Sequence, residues 1–300
     1  MPTPRWPEYA GYATAPMGSA VAGLWRLRSG RFMPVGDSTG VRCTASDALR
    51  WFGLPDQTSP ATDEISFPMR RVRAGRSLVV EGQSFEKLHL VSGGSFKCVQ
   101  TDMDGYEQVL AFAIHGDIIG LDGLGQNRHG SGAVALEDAT VVTLPVVELL
   151  AMGRRVPALE VLLHNAAGAE VARRGDTQYL MSAPSSEVRV ARFLLQFARR
   201  QAALGHSGRR LRMCMTRRDI ASYLGVAHET VSRALTALAR GGCIQVSHRD
   251  IELIDLEALN ELQRVTRGRQ TRERRADTAS KATTAALIKA AEAVQVSTLQ

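Results

Sequence analysis

Hydrophobic residues between Phe67 and Pro145 come in short runs, and turns that contain glycine separate them. The runs span residues 77–81, 88–91, 96–100, 108–114, 134–136 and 140–144. Their turn signals include Gly93-Gly94 and Asp104-Gly105, which favour tight reversals of the chain. Several short strands at regular spacing predict a small β-barrel or jelly roll in this part of the chain.

After this region the hydrophobic period becomes helical. Pro157 suits the first turn of a helix that continues to about Met181, which makes it roughly 35–40 Å long. One face of this helix begins apolar and then becomes charged: Leu159, Leu163 and Ala166 are followed by Glu170 and Arg173. Such a seam fits either a dimer contact or a helix that lies on its own domain, and the sequence leaves both open.

The segment 216–240 has the pattern of two short helices that meet at a sharp turn. Thr216 and Asp219 form a capping-box-like start, and Gly225 supplies the turn. The apolar positions predict a buried face: Ile220, Ala221 and Leu224 on the first helix, then Val231, Ala234, Leu235 and Leu238 on the second. Gly241-Gly242 ends the second helix.

Polar residues left on the outer face of the second helix have chemistry suited to the DNA major groove. Arg233 can donate two hydrogen bonds to a guanine, Glu229 can accept from a cytosine amino group, and Ser232 can pair with several base edges. The alternative is a solvated helix with an ordinary Glu229–Arg233 ion pair. The helix-turn-helix spacing around these residues favours DNA recognition. The remaining predicted DNA contacts are His228, Thr230, Thr216 and Arg217.

The flanks of this segment predict a winged helix. Apolar residues on one helical face predict a supporting helix before it: Val188, Ala191, Leu195 and Ala198. Residues 243–246 and 251–254 flank His248-Arg249-Asp250 and predict a β-hairpin wing. Asp255 is expected to cap a last short helix to Leu262.

Composition and charge narrow the class of protein. The chain has 300 residues, a hydrophobic content of 44% and a formal net charge of +7, which fit about two domains and a polyanionic partner. Four cysteines without a CxxC pair argue against a zinc finger and fit a reducing compartment. With no signal peptide and no membrane-spanning run, we expect a soluble cytoplasmic protein without a membrane partner.

We therefore predict an α+β protein with five parts. They are a partly disordered N-terminal extension (1–60), a β-roll sensor (61–150), a dimerisation helix (151–183), a winged helix-turn-helix domain (184–263) and a basic, Ala-rich tail (264–300). The tail has an Arg-rich stretch that could add phosphate contacts. An alternative class, a non-specific basic chromosome-binding protein, would bind DNA through this tail.

At this point the chain resembles the Crp/Fnr family of transcription regulators, in its FNR/FixK branch. The resemblance covers residues 72–262 and lies in GYEQVLAF (105–112), GDIIGLDGLG (116–125), ALEDATVVTLP (135–145), MTRRDIASYLG (215–225) and HETVSRAL (228–235). It implies a homodimer without enzymatic activity that binds a palindromic operator on double-stranded DNA and contacts RNA polymerase. In this branch the ExxSR residues read half-sites resembling TTGAT, and these roles fall on Glu229, Ser232 and Arg233.

The sensing chemistry of the family is not evident in this chain. The N-terminal region offers only Cys43, and Val142 stands at the expected β-roll cysteine, so we reject an iron–sulfur cluster. The stretch His129-Gly130-Ser131-Gly132 lacks the arginine that holds a cyclic phosphate. We predict no cofactor. A haem- or small-ligand-dependent sensor of the same fold remains the alternative, and Cys214 and Cys243, which bracket the reading segment, are candidate redox-sensitive residues. Gly116-Asp117 is a polymerase-contact loop by analogy or a plain turn.

Overall fold

The computed structural model describes residues 40–263. The parts predicted as an extension before residue 40 and as a tail at 264–300 lie outside the described residues. The described part comprises a β-roll, a long helix and a C-terminal head in which helices pack against a small sheet. This succession confirms the predicted α+β class.

The β-roll consists of nine short strands in two sheets. The strands are β1 Arg42–Thr44, β2 Ser66–Val72, β3 Ser77–Val79, β4 Lys87–Gly93, β5 Phe96–Thr101, β6 Glu107–Ala113, β7 Ile118–Ile119, β8 Gly132–Ala135 and β9 Ala139–Pro145. One sheet has the order β1-β2-β9-β4-β7 and the other the order β3-β8-β5-β6. Fully buried side chains such as Leu88, Leu90 and Phe96 fill the roll. Strand β6 is an edge strand, so one side of its backbone has no partner within its sheet.

All six predicted hydrophobic runs correspond to strands, whereas β1, β2 and β7 escape the pattern. Strand β7 is only two residues long. Strand β2 is buried at Phe67 and Val72 but carries Pro68, Arg70 and Arg71 at exposed positions. Strand β2 pairs with β1 and β9, and these backbone hydrogen bonds stabilise it although its own sequence lacks a strand pattern.

Residues 43–54 pack on the β-roll, although the sequence pattern places them in the extension. A short helix, α1, spans Ala45–Trp51. Cys43 and Leu49 are 3% and 0% exposed and belong to the same core as the strands. Most of the buried side chains here are small, so the segment forms a close contact without the large apolar residues that mark a core in the sequence.

Three further helices complete the sensor part: α2 Pro60–Glu64, α3 Val146–Gly153 and α4 Pro157–Met181. Helix α4 confirms the predicted long helix. Helix α3 is separate from α4. Residues 151–153, which the predicted boundary assigns to the long helix, belong to α3. The sequence misses α3 because it directly continues the apolar strand β9 without a turn signal.

The seam on α4 lies on the protein's own β-roll. Leu159 and Ala166 are 0% and 1% exposed in the core shared with the roll. Where the seam becomes charged, Arg173 Nη1 lies 2.6 Å from Asp117 Oδ1, and Arg173 Nη2 lies 2.8 Å from Glu170 Oε2. The structure therefore decides between the two readings of this seam, because its residues contact the sensor of the same chain.

The head consists of three helices, a three-stranded sheet and the start of a last helix. Its elements are α5 Ser186–Ala203, β10 Arg210–Arg212, α6 Arg217–Leu224, α7 His228–Arg240, β11 Ile244–Ser247, β12 Asp250–Leu253 and α8, which is described over 256–263. The four predicted core residues of α5 are all buried. Strands β11 and β12 form the predicted wing, and the Asp255 carboxylate accepts a hydrogen bond from the Ala258 amide at 2.8 Å, as expected for the cap of α8. Strand β10 was not predicted, because only its Leu211 is buried.

A buried histidine should make stability depend on pH. Burial, followed by the nearby Arg70, lowers the pKa of His89 from 6.5 to about 4, so this imidazole is neutral in the folded protein at neutral pH. Between pH 6.5 and pH 4 the unfolded chain binds a proton that the folded chain does not. We expect His89 to lower the free energy of unfolding by about 3 kcal/mol across this window as the pH falls.

The measurement is urea unfolding of His89→Gln and wild type at several pH values. The variant should be less sensitive to pH between 6.5 and 4, whatever its absolute stability. His206→Gln, at an exposed position, is the control and should retain the wild-type slope. Equal slopes for wild type and His89→Gln would contradict the neutral, buried state of this side chain.

Candidate DNA-binding surface

The first helix of the head begins with a complete capping box. The Thr216 hydroxyl accepts a hydrogen bond from the Asp219 amide at 3.1 Å, and Asp219 Oδ2 accepts one from the Thr216 amide at 2.9 Å. Two of the amides left unpaired at the start of α6 are thereby satisfied. Thr216 and Arg218 are exposed at this end of the helix.

The turn between the two helices depends on Gly225. Its φ of +60° lies in the left-handed region, and its amide pairs with carbonyls of the last turn of α6. A Cβ at this position would meet only the Met181 sulfur, at 3.8 Å, so the glycine is needed for its backbone conformation and not for space.

Helix α7 presents the predicted reading residues to the outside. Its apolar face is buried as predicted at Val231, Ala234, Leu235 and Leu238. Glu229, Ser232 and Arg233 are all exposed. Glu229 Oε2 lies 3.2 Å from His228 Nδ1, and within residues 40–263 no ion pair joins this carboxylate to Arg233. The Arg233 guanidinium therefore faces outward without an acidic partner on its own helix.

The other predicted DNA contacts differ in their exposure. His228 and Thr216 are exposed, whereas Thr230 and Arg217 are half-buried. Burial lowers the pKa of Arg217, and its Nη1 is buried without a hydrogen-bond partner. This side chain lines a cleft of about 480 Å³ together with residues of α7 and the wing, including Arg240.

Sequence reasoning missed several exposed basic residues around this face. Arg218 follows the helix cap, Arg240 ends α7, and His248 and Arg249 form the turn of the wing. His248 has a φ of +52°, so the wing turns tightly at that residue. His248 and Arg249 could have been predicted from the sequence as DNA contacts, because a basic turn next to a recognition helix is suited to contact phosphates.

The two cysteines proposed as redox-sensitive lie in different surroundings. Burial, with a hydrogen bond to Glu137 at 3.2 Å, raises the pKa of the Cys214 thiol to about 11, which disfavours the reactive thiolate at neutral pH. Cys243 is half-buried, with its sulfur 3.7 Å from the Gly241 carbonyl oxygen. Redox sensitivity of either residue stays a prediction.

The Gly116-Asp117 turn joins the sensor to two helices of the same chain, which favours its interpretation as a plain turn; a polymerase contact there stays a prediction. Asp117 contacts Arg173 on α4 and Arg200 on α5, and it accepts a hydrogen bond from the Ile114 amide at 2.8 Å. Its side chain is only 14% exposed. The carboxylate therefore ties the sensor to both helices.

In the sensor, the carboxylate of Asp122 lies beside Ser131, where the phosphate of a cyclic nucleotide would need a basic side chain. Ser131 donates a hydrogen bond to Asp122 Oδ2 at 2.7 Å. The carboxylate would repel a bound phosphate, which adds to the missing arginine noted from the sequence. In residues 40–263, no three side chains of His, Cys, Asp or Glu come together in a way that could hold a metal ion. Over the same range no helix is both long and apolar enough to cross a membrane.

Comparison with known proteins identifies the family. Residues 188–262 match the Crp-like helix-turn-helix domain, and residues 69–155 match the cyclic nucleotide-binding domain. The chain is 34% identical over 210 residues to the transcriptional regulatory protein Btr of Bordetella pertussis, across 70% of this chain and 87% of that protein. The chain belongs to the Crp/Fnr family.

Further Crp/Fnr relatives agree with this assignment. The Escherichia coli fumarate and nitrate reduction regulatory protein is 30% identical over 225 residues, which cover 75% of this chain and 90% of that protein. The structure of FixK2 from Bradyrhizobium japonicum superimposes with a TM-score of 0.59 at 27% identity, over 65% of this chain and 96% of that one. This Crp/Fnr chain is thus a DNA-binding transcriptional regulator and not an enzyme. The match to the cyclic nucleotide-binding domain identifies the fold of the sensor and not its ligand.

Substitution of Gly225 tests the geometry of the turn. Gly225→Ala should lower the free energy of unfolding by about 1–2 kcal/mol, because alanine resists the left-handed backbone. Gly225→Asn should cost less, because asparagine tolerates this conformation. Chemical unfolding of both variants measures the difference. Equal stability of the alanine variant and wild type would contradict the left-handed turn.

Proposed function

We propose that this regulator binds, as a homodimer, a two-fold symmetric operator whose half-sites resemble TTGAT. The observation that carries the proposal is the outer face of α7, where Glu229, Ser232 and Arg233 are exposed and Arg233 has no acid from its own helix. A guanidinium in this state can make the bidentate contact with guanine O6 and N7. Glu229 is left to accept from a cytosine amino group, and Ser232 to contact a neighbouring base edge.

Contacts with the DNA backbone would come from the start of α6 and from the wing. Thr216 and Arg217, with the adjacent Arg218, lie at a helix N-terminus, which favours phosphate through its free amides and its dipole. His228 and Thr230 begin α7 close to the same groove. These contacts would fix the register of the head on the duplex without reading its sequence.

The homodimer would form through the face of α4 that the β-roll leaves open. Gly168 and Gly175 are one heptad apart on this face, with Val171 between them at 71% exposure. A Cβ at either glycine would meet open space, so a second helix could approach closely. This is a different face from the predicted seam of Leu159 and Ala166, which is already occupied. Two heads joined in this way would enter major grooves about 34 Å apart.

Binding to RNA polymerase remains part of the proposal, without an assigned contact. A haem- or small-ligand-controlled sensor stays the alternative for the input, and spectroscopy of the purified protein distinguishes it. The occupied Ser131–Asp122 pair disfavours an anionic cyclic nucleotide as that ligand.

Loss of the Arg233 guanidinium tests base reading. Arg233→Ala should weaken binding to the cognate duplex by roughly 1–3 kcal/mol and relax the preference at the guanine position. Fluorescence anisotropy with cognate and guanine-substituted duplexes measures both effects. Arg199→Ala removes an exposed charge from α5 and should leave the guanine preference intact. Wild-type affinity and specificity in Arg233→Ala would contradict the assignment.

A charge on the open face of α4 tests the dimer. Val171→Glu should raise the dimer dissociation constant by roughly tenfold or more, because two carboxylates would face each other between the paired α4 helices. Sedimentation equilibrium measures the association. Val147→Glu places the same charge on α3, at a position 80% exposed, and should not change it. A stable dimer in Val171→Glu would show that another face is used.

A further inference from the structure

We infer that docking of α6 on the free edge of strand β6 sets the orientation of the reading head, and thereby the half-site spacing that the dimer accepts. This inference rests on the proposed function and names Lys97, Gln108 and Ser222 as positioning residues. None of the three is among the residues that face DNA. Each contributes to a contact between the sensor and the head.

The first part of the docking is a side chain that completes a sheet edge. The Ser222 hydroxyl accepts a hydrogen bond from the Val109 amide at 2.8 Å and donates one to the Glu107 carbonyl at 3.1 Å. Gln108 donates from its side-chain amide to the Ser222 carbonyl. The Ser222 hydroxyl of α6 thus pairs with two backbone groups on the free edge of β6.

The second part is an ion pair that shares a carboxylate with the helix cap. Lys97 Nζ lies 3.0 Å from Asp219 Oδ1, while Asp219 Oδ2 accepts hydrogen bonds from the Thr216 amide and hydroxyl. The Lys97 and Asp219 side chains are 20% and 11% exposed, so solvent screens the pair less than it would at the surface. The end of α6 that carries Thr216 and Arg217 is therefore tied to strand β5.

Aromatic packing extends this contact along the strand. Phe112 of β6 lies 5.2 Å from the Tyr223 ring and 6.1 Å from the Phe193 ring, measured between centroids. Tyr223 also shares a hydrogen bond of 3.1 Å with Thr177 of α4. Arg200 of α5 donates to the Phe112 carbonyl at 3.0 Å. The sensor, the long helix and the head consequently meet around α6.

The docking positions the reading face without covering it. Ser222 and Asp219 point to the sensor, whereas Glu229 and Arg233 are exposed in the same structure. Two heads with fixed orientations in one dimer match half-sites at one separation only. Heads released from β6 would reach a range of separations and lose affinity at the best one, because binding would have to order them.

The experiment measures how binding depends on half-site spacing. Full-length wild type and the double variant Lys97→Met/Ser222→Ala are titrated with palindromes at the selected spacing, with one or two base pairs inserted or removed, and with a single half-site. We expect the double variant to lose roughly tenfold in affinity at the best spacing, with a flatter spacing profile and unchanged half-site affinity. Hydrogen exchange at the Val109 amide should become faster.

Matched variants keep the result interpretable. Lys97→Arg/Ser222→Thr retains the charge and the hydroxyl and should restore the wild-type profile. Lys87→Met removes an exposed lysine at the start of strand β4 and should change nothing. Should the double variant fail to fold, the single variant Lys97→Gln is used in the same titrations, with the same expected direction.

Two outcomes would contradict the proposed function and the docking inference separately. A wild-type chain that binds no palindrome better than a half-site overturns the proposed function and this inference with it. A wild-type chain with one preferred spacing, together with a double variant of identical spacing profile, overturns the inference alone.

Discussion

The carboxylate of Asp219 joins the local structure of the reading head to the rest of the protein. One of its oxygens completes the cap of α6, and the other meets Lys97 of the sensor. Burial opposes its ionisation, but hydrogen bonds from Thr216 and the charge of Lys97 outweigh burial and hold the pKa of Asp219 below its ordinary value. The group is therefore ionised at neutral pH, and its contribution to stability is lost only as the pH falls through this lowered pKa.

The head and the sensor share one continuous apolar core. Val109 and Phe112 of β6 belong to the same cluster as Phe193, Tyr223 and Leu224. Asp117 adds a polar joint between the sensor and the helices α4 and α5. Because packed interiors transmit strain, we expect a change within the β-roll to reach the head through this shared core.

The sensor offers chemistry that differs from the reading face. Burial lowers the pKa of His89 and raises that of Cys43 and Cys98 to about 12, so these groups are neutral at neutral pH. Ser131 is paired with Asp122. The reading face of α7, in contrast, is exposed and charged. The DNA-binding role of this regulator is therefore easier to infer than the signal that it senses.

The sequence predicts those features that depend on near neighbours. Thr216, Asp219 and Gly225 act within a few residues of themselves, so the helix-turn-helix could be recognised from their spacing. Strand β2 and residues 43–54 are stabilised by partners far along the chain, and their own patterns are weak. The face of α4 that meets the β-roll was also ambiguous, because an apolar seam has the same periodicity whichever partner it contacts.

Selection of binding sites from a random pool of DNA duplexes, with the purified full-length chain, tests the central claim most directly. The account predicts enrichment of a two-fold symmetric sequence with TTGAT-like half-sites at one separation, and loss of the guanine preference when Arg233→Ala is used in the same selection. Enrichment of no sequence, of an asymmetric sequence, or of the same guanine by wild type and Arg233→Ala would contradict it.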